Sequence, residues 1–193
     1  MTTTVHDPQL ATLIDEIAGL VDTHGSEQVL TELVAERLRA ALATGIDLPE
    51  PLTRPDPECY VMYPLHVDPA GRFSIASAVW NVGQGTPVHG HETWGVVGIH
   101  SGAEREFRYV KPTAADAGTP LTPAGDQLFE HGQVTVCCTT DDDVHAVAAV
   151  GDVPTVGIHV YGADIGAIQR RRYDPATGAV ELFVSGWDTP RER

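Results

Sequence analysis

Gly83-Gln84-Gly85-Thr86-Pro87-Val88-His89-Gly90-His91 places two histidines one residue apart behind a glycine-rich approach. On an extended strand, residues i and i+2 leave the backbone on the same side, so two imidazoles spaced this way can chelate one ion. A third histidine, in Asp143-Val144-His145-Ala146-Val147, lies far enough along the chain to sit on another strand facing the same cavity. Three neutral imidazoles leave an iron-like ion its full charge and several open positions.

Outward from this stretch, short β-branched or aromatic runs alternate with turn residues: Phe73 to Trp80, Val96 to Ile99, Glu106 to Val110, Val134 to Cys138, Val144 to Val150, Thr155 to Tyr161 and Val180 to Val184. Such spacing from Tyr60 onward predicts an all-β sandwich or barrel. Asp68-Pro69-Ala70-Gly71 and Asp174-Pro175-Ala176-Thr177-Gly178 are turn signals that separate strands. No internal repeat or low-complexity segment is evident.

The N-terminal part has a different period. Asp7-Pro8 reads as an N-cap and first-turn proline, followed by Leu10, Leu13, Ile14, Ile17 and Val21 at helical spacing. From about Ser26 a second stripe carries Val29, Leu30, Leu33, Val34, Leu38 and Leu42, with Gly45 placed to stop it. Both stripes are expected to cover the outside of the main body. The proline-rich connector from Leu48 to Pro57 cannot continue a helix. The expected organisation is one structural domain, with a helical arm and connector over 1–58 packed on a barrel over 59–193.

Composition excludes some partners. The 193 residues, 42% hydrophobic, suffice for one buried core, and 12 Lys plus Arg against 27 Asp plus Glu give a net charge of −15. That charge repels phosphate backbones and anionic lipid surfaces, so neither nucleic acid nor membrane is expected as a partner. The first twenty residues lack a basic leader pattern, and no apolar run approaches the roughly 20 residues that span a bilayer; a cytoplasmic location is expected. The three cysteines form no CxxC pair and read as reduced thiols, adjacent Cys137 and Cys138 pointing to opposite faces of a strand.

Gly83, five residues, then His89-x-His91 matches the opening of the cupin metal motif, in which a glutamate usually follows four or five residues after the second histidine; here those positions are Gly95 and Val96. Glu92 is expected on the other strand face, while Glu104 and Glu106 lie on a later strand from which a carboxylate ligand is conceivable. The run from Pro87 to Gly98, then Gly102-Ala103-Glu104, Asp143-Val144-His145, the block from Ile158 to Ala167 and Phe183-Val184-Ser185-Gly186 resemble the cysteine dioxygenase superfamily of cupins, closest to its bacterial 3-mercaptopropionate dioxygenase branch. The likeness covers nearly the whole chain. It implies an all-β cupin double-stranded β-helix, or jelly-roll barrel, with an N-terminal α-helical arm.

The resemblance further implies Fe(II) held by His89, His91 and His145, and a small thiol oxidised to its sulfinate with both atoms of O2. His159-x-Tyr161 matches the family's outer pair, in which the phenol orients and stabilises bound ligands and the imidazole holds its hydroxyl. Arg170 matches an arginine implicated in recognising the substrate carboxylate, a role suited to a planar guanidinium; the run Arg170-Arg171-Arg172 is equally that of a solvated basic edge. Two departures stand out. Gly157 replaces the serine of the family's Ser-x-His-x-Tyr, removing one hydroxyl, and Gly95 occupies the place of the cysteine that crosslinks to the tyrosine in cysteine dioxygenase proper. Trp80 and Trp94 are candidates for the pocket wall or for packing, whereas His6, His24, His66, His100 and His131 carry no motif.

The expected substrate is 3-mercaptopropionate, with cysteine, mercaptosuccinate or another thiol carboxylate behind it, and the expected assembly a monomer or homodimer. Two other classes fit the same motifs: a metal-dependent cupin oxygenase or isomerase acting on a substrate without sulfur, and a non-catalytic small-molecule-binding cupin.

Overall fold

A computed structural model describes residues 7–190; His6 and the extreme ends of the two expected segments lie outside the described residues. Helix α1 (Pro8–Thr23) begins where the sequence predicts, with the Asp7 carboxylate accepting the Leu10 amide at 2.8 Å. Helix α2 (Glu27–Thr44) ends at Gly45, whose φ of 95° only glycine adopts cheaply. Leu30, Val34, Leu38 and Leu42 are buried as expected. Val29 is not: it is 49% exposed, and Thr31, Ala35 and Ala41 fill the buried face instead. At about 100° per residue, Val29 lies roughly 140° around the helix from Val34 and so faces solvent.

Eleven strands form among the described residues: β1 (Val61–Val67), β2 (Ser74–Trp80), β3 (Val88–His89), β4 (Gly95–Ser101), β5 (Ala103–Tyr109), β6 (Pro123–Glu130), β7 (Val134–Cys138), β8 (His145–Ala149), β9 (Thr155–Tyr161), β10 (Arg170–Tyr173) and β11 (Val180–Phe183). They make a five-stranded sheet in the order β1-β2-β9-β4-β7 and a six-stranded sheet in the order β11-β10-β3-β8-β5-β6, every neighbouring pair antiparallel. This is the jelly-roll barrel with an N-terminal helical arm that the sequence predicts.

Strand β9 shows how the layers meet, because it is buried on both faces. Val156, Ile158 and Val160 join Leu10, Leu13, Ile17, Leu38 and Leu42 in the main core between the helical arm and the five-stranded sheet. Tyr161 points the other way, into the barrel, where it clusters with Met62, Ala78 and Trp80 of its own sheet and with Val147, which lies on the opposite sheet. Gly98 on β4 lets α2 approach closely: a Cβ there would lie 2.7 Å from the Leu42 side chain and 2.9 Å from that of Leu38. The arm is therefore one wall of the main core.

Candidate metal centre and its cavity

The sheet register assembles the three histidines. His89 on β3 lies directly opposite His145 on β8, and His91 follows two residues later, just past the end of β3. The Nε2 atoms of His89 and His91 are 3.2 Å apart, those of His145 and His91 3.3 Å, and all three donor atoms lie within 4.8 Å of one another. The rings are 7%, 1% and 4% exposed. Burial first, and then the neighbouring imidazoles, hold His89 and His91 well below the ordinary histidine range, so both are neutral donors at physiological pH.

Hydrogen bonds on the far side of two rings decide which nitrogen faces inward. His89 Nδ1 lies 3.0 Å from the Pro87 carbonyl, which can only accept, so the proton sits on Nδ1 and Nε2 offers a lone pair. His145 Nδ1 donates in the same way to Glu106 Oε1 at 2.7 Å. Burial raises the Glu106 carboxyl, but the His145 hydrogen bond and Arg108 outweigh it and keep the group ionised below its usual range. Two ligand atoms about 2.1 Å from one ion at angles of 90 to 109° stand about 3.0–3.4 Å apart, which is the spacing of His91 Nε2 from each of the other two. The donor set therefore fits a divalent metal ion, with a carboxylate–histidine partner of the kind that orients metal ligands.

The other predicted residues converge on the same cavity, whose walls include Tyr60, Met62, Trp80, Tyr161 and Arg170 and which encloses about 20 Å³. His159 Nδ1 and the Tyr161 hydroxyl are 2.8 Å apart, and the Tyr161 ring centroid is 5.0 Å from that of His91. Burial, then the nearby His145, pushes the His159 imidazole down to about 3. At Gly157 the structure shows what replaces the hydroxyl expected there. A Cβ would lie 2.5 Å from His159 Nε2, so the imidazole itself occupies that space, and its Nε2 has no hydrogen-bond partner. Arg170 is 2% exposed, its guanidinium carbon 4.6 Å from the Phe183 ring centroid, and its Nε and Nη2 have no partner. Burial lowers its pKa without making it neutral.

A wider vestibule of about 290 Å³ shares Tyr60, Met62 and His89 with this cavity and carries Arg172, Ser185 and Asp188 on its walls. A larger surface depression of about 580 Å³ beside Lys111 and Arg171 shares no wall residue with the histidine cavity, and both cations are already paired, with Asp143 and Glu92.

Several sequence expectations sort out here. Glu92 faces away and pairs with Arg171 at 2.6 Å. Glu106 supports His145 from behind, and Glu104 is a buried neighbour with one oxygen unpartnered. Trp80 lines the cavity, while Trp94 packs in the main core. The run of three arginines opens strand β10, with Arg170 buried and Arg171 and Arg172 exposed. The roles of Glu106, Phe183 and Asp143 were not anticipated; glutamates two apart in a strand, both on its inward face, were the available signal for the first.

No family model matches the chain. Among solved structures it is similar to an uncharacterized conserved protein with a double-stranded beta-helix domain from Klebsiella pneumoniae subsp. pneumoniae, at 13% identity, covering 68% of this chain and 90% of that one with a TM-score of 0.45. It is also similar to a Cupin 2 conserved barrel domain protein from Salinispora arenicola, at 16% identity, 61% and 87% coverage and a TM-score of 0.43. An oxalate oxidase in complex with the substrate analogue glycolate shares 17% identity over 62% of this chain and 61% of that one, with a TM-score of 0.44. At such distances the fold is read from strand order and register, and the neighbours' ligands remain their own.

Proposed function

We propose that the protein is an iron(II)-dependent thiol dioxygenase acting on a small thiol carboxylate, with 3-mercaptopropionate the first candidate. The observation that carries this reading is Arg170: a buried cation with two unpartnered nitrogens, in the same small cavity as three converging histidines. An unpaired buried guanidinium is costly, and a carboxylate ligand offsets that cost through paired charge-assisted hydrogen bonds.

Ferrous ion held by His89, His91 and His145 would supply open positions for a thiolate and dioxygen and a path for electrons between them. The overall change, R–S⁻ + O2 → R–SO2⁻, balances without an external reductant: sulfur loses four electrons and dioxygen gains them. Arg170 holds the carboxylate, and the Phe183 ring against its face keeps the guanidinium in plane. Tyr161, bonded to His159, presents its hydroxyl toward the site as a hydrogen-bond donor or proton holder. Trp80, Met62 and Val147 keep the cavity dry, which strengthens each of these contacts.

The test is oxygen uptake by anaerobically iron-loaded protein with 3-mercaptopropionate, cysteine, mercaptosuccinate and a thiol amine lacking a carboxylate, with sulfinate measured in the same samples. One sulfinate formed per O2 consumed, with carboxylated thiols preferred, is expected. Iron demonstrably bound with no thiol-dependent uptake would overturn the proposal and favour a non-thiol oxygenase or a binding protein.

A further inference from the structure

Gly90, between the two histidines, marks a close approach. A Cβ there would lie 3.0 Å from the Asp143 carboxylate. That carboxylate is fully buried and reaches under the His89-Gly90-His91 turn, where Oδ2 accepts the backbone amides of His91 at 2.9 Å and Glu92 at 2.8 Å. Its other oxygen forms an ion pair with Lys111 at 2.7 Å, and Lys111 also donates to the Thr140 carbonyl at 2.6 Å.

His91 needs such an anchor more than the other two histidines do. His89 and His145 face each other across paired strands, whereas His91 lies beyond the end of β3, immediately before Glu92, whose φ of 57° is a backbone conformation that non-glycine residues rarely hold. Asp143 stands two residues before His145, so one side chain ties the loop of the second histidine to the strand of the third. Lys111 supplies the countercharge that a buried carboxylate requires.

We infer that Asp143, with Lys111 as its counter-ion, is a positioning residue that fixes His91 against His145 and thereby sets the affinity and symmetry of the metal site. This rests on the three-histidine reading of the site. It does not depend on the thiol reaction.

The experiment is titration of the metal-free full-length protein with Co(II), reading affinity by chelator competition and the visible absorption of the bound ion. Asp143→Ala is expected to weaken cobalt about 10–100-fold, the range for losing a group that orients a metal ligand, and to alter the visible bands. Asp143→Asn, which keeps an acceptor for the two amides but loses Lys111, is expected to fall between the alanine variant and wild type. Gly90→Ala, which crowds the carboxylate without removing it, should shift the bands in the same sense. Leu38→Ala, a packing change in the arm, should lower stability and leave the cobalt spectrum unchanged. Should Asp143→Ala fail to fold, the asparagine and Gly90 variants decide the matter, and wild-type affinity and spectrum in both would overturn the clamp. Wild-type protein that takes up no cobalt would overturn the metal site and the clamp together, whereas a failed thiol assay leaves the cobalt result standing.

Discussion

Arg170 and Gly157 show how single residues define this cavity. A charged hydrogen-bond pair contributes about 1.5–3 kcal/mol, so Arg170→Gln is expected to lower kcat/KM for 3-mercaptopropionate roughly 10–100-fold, mostly through KM, while a thiol without a carboxylate loses little. The same variant should unfold at a temperature equal to or above that of wild type, because it removes an unpaired buried cation. Steady-state kinetics on the two substrates and a thermal melt check both halves; an equal loss on both substrates would argue that Arg170 is structural. Its inward position was not legible in the run of three arginines, since alternation along a strand becomes visible only once the strand is known. Gly157 was legible as a departure, but its consequence was not: the space belongs to His159 rather than to a missing hydroxyl.

Among the elements, β9 and the helical arm are coupled through one layer of backbone. The outward residues Val156, Ile158 and Val160 pack on the arm, while the inward His159 and Tyr161 serve the cavity. Leu38, fully buried between α2 and this sheet, is expected to cost about 2–5 kcal/mol when cut to alanine, measured by urea unfolding. Both helices were readable from apolar spacing and capping because those signals are local. Strand β10 was not, nor was β6, a largely exposed edge whose polar sequence carries no apolar alternation.

Across the whole molecule, stability should respond to pH through a carboxyl away from the cavity wall. Burial, then the charge of Glu106, pushes Glu104 up to about 8. In the unfolded chain the group titrates near its ordinary value of about 4.3. Between these values the folded state holds a proton that the unfolded state has released, so this contribution to stability is full below about pH 4.3 and is lost as pH rises through 8. Melting temperature of the chelator-treated protein should therefore fall between pH 5 and 8 more steeply than that of Glu104→Gln, and identical slopes would show that Glu104 is ionised when folded. The sequence by itself determined the β-barrel class, the two capped helices and the three histidines, because residue spacing, turn chemistry and side-chain type are local properties written along the chain. Only the tertiary structure decided that Glu106 stands behind His145, that two nitrogens of the buried Arg170 lack a hydrogen-bond partner, and that Asp143 reaches beneath Gly90. Each of these depends on sheet register between strands distant in sequence, and a shift of one residue would turn the side chains to the opposite face.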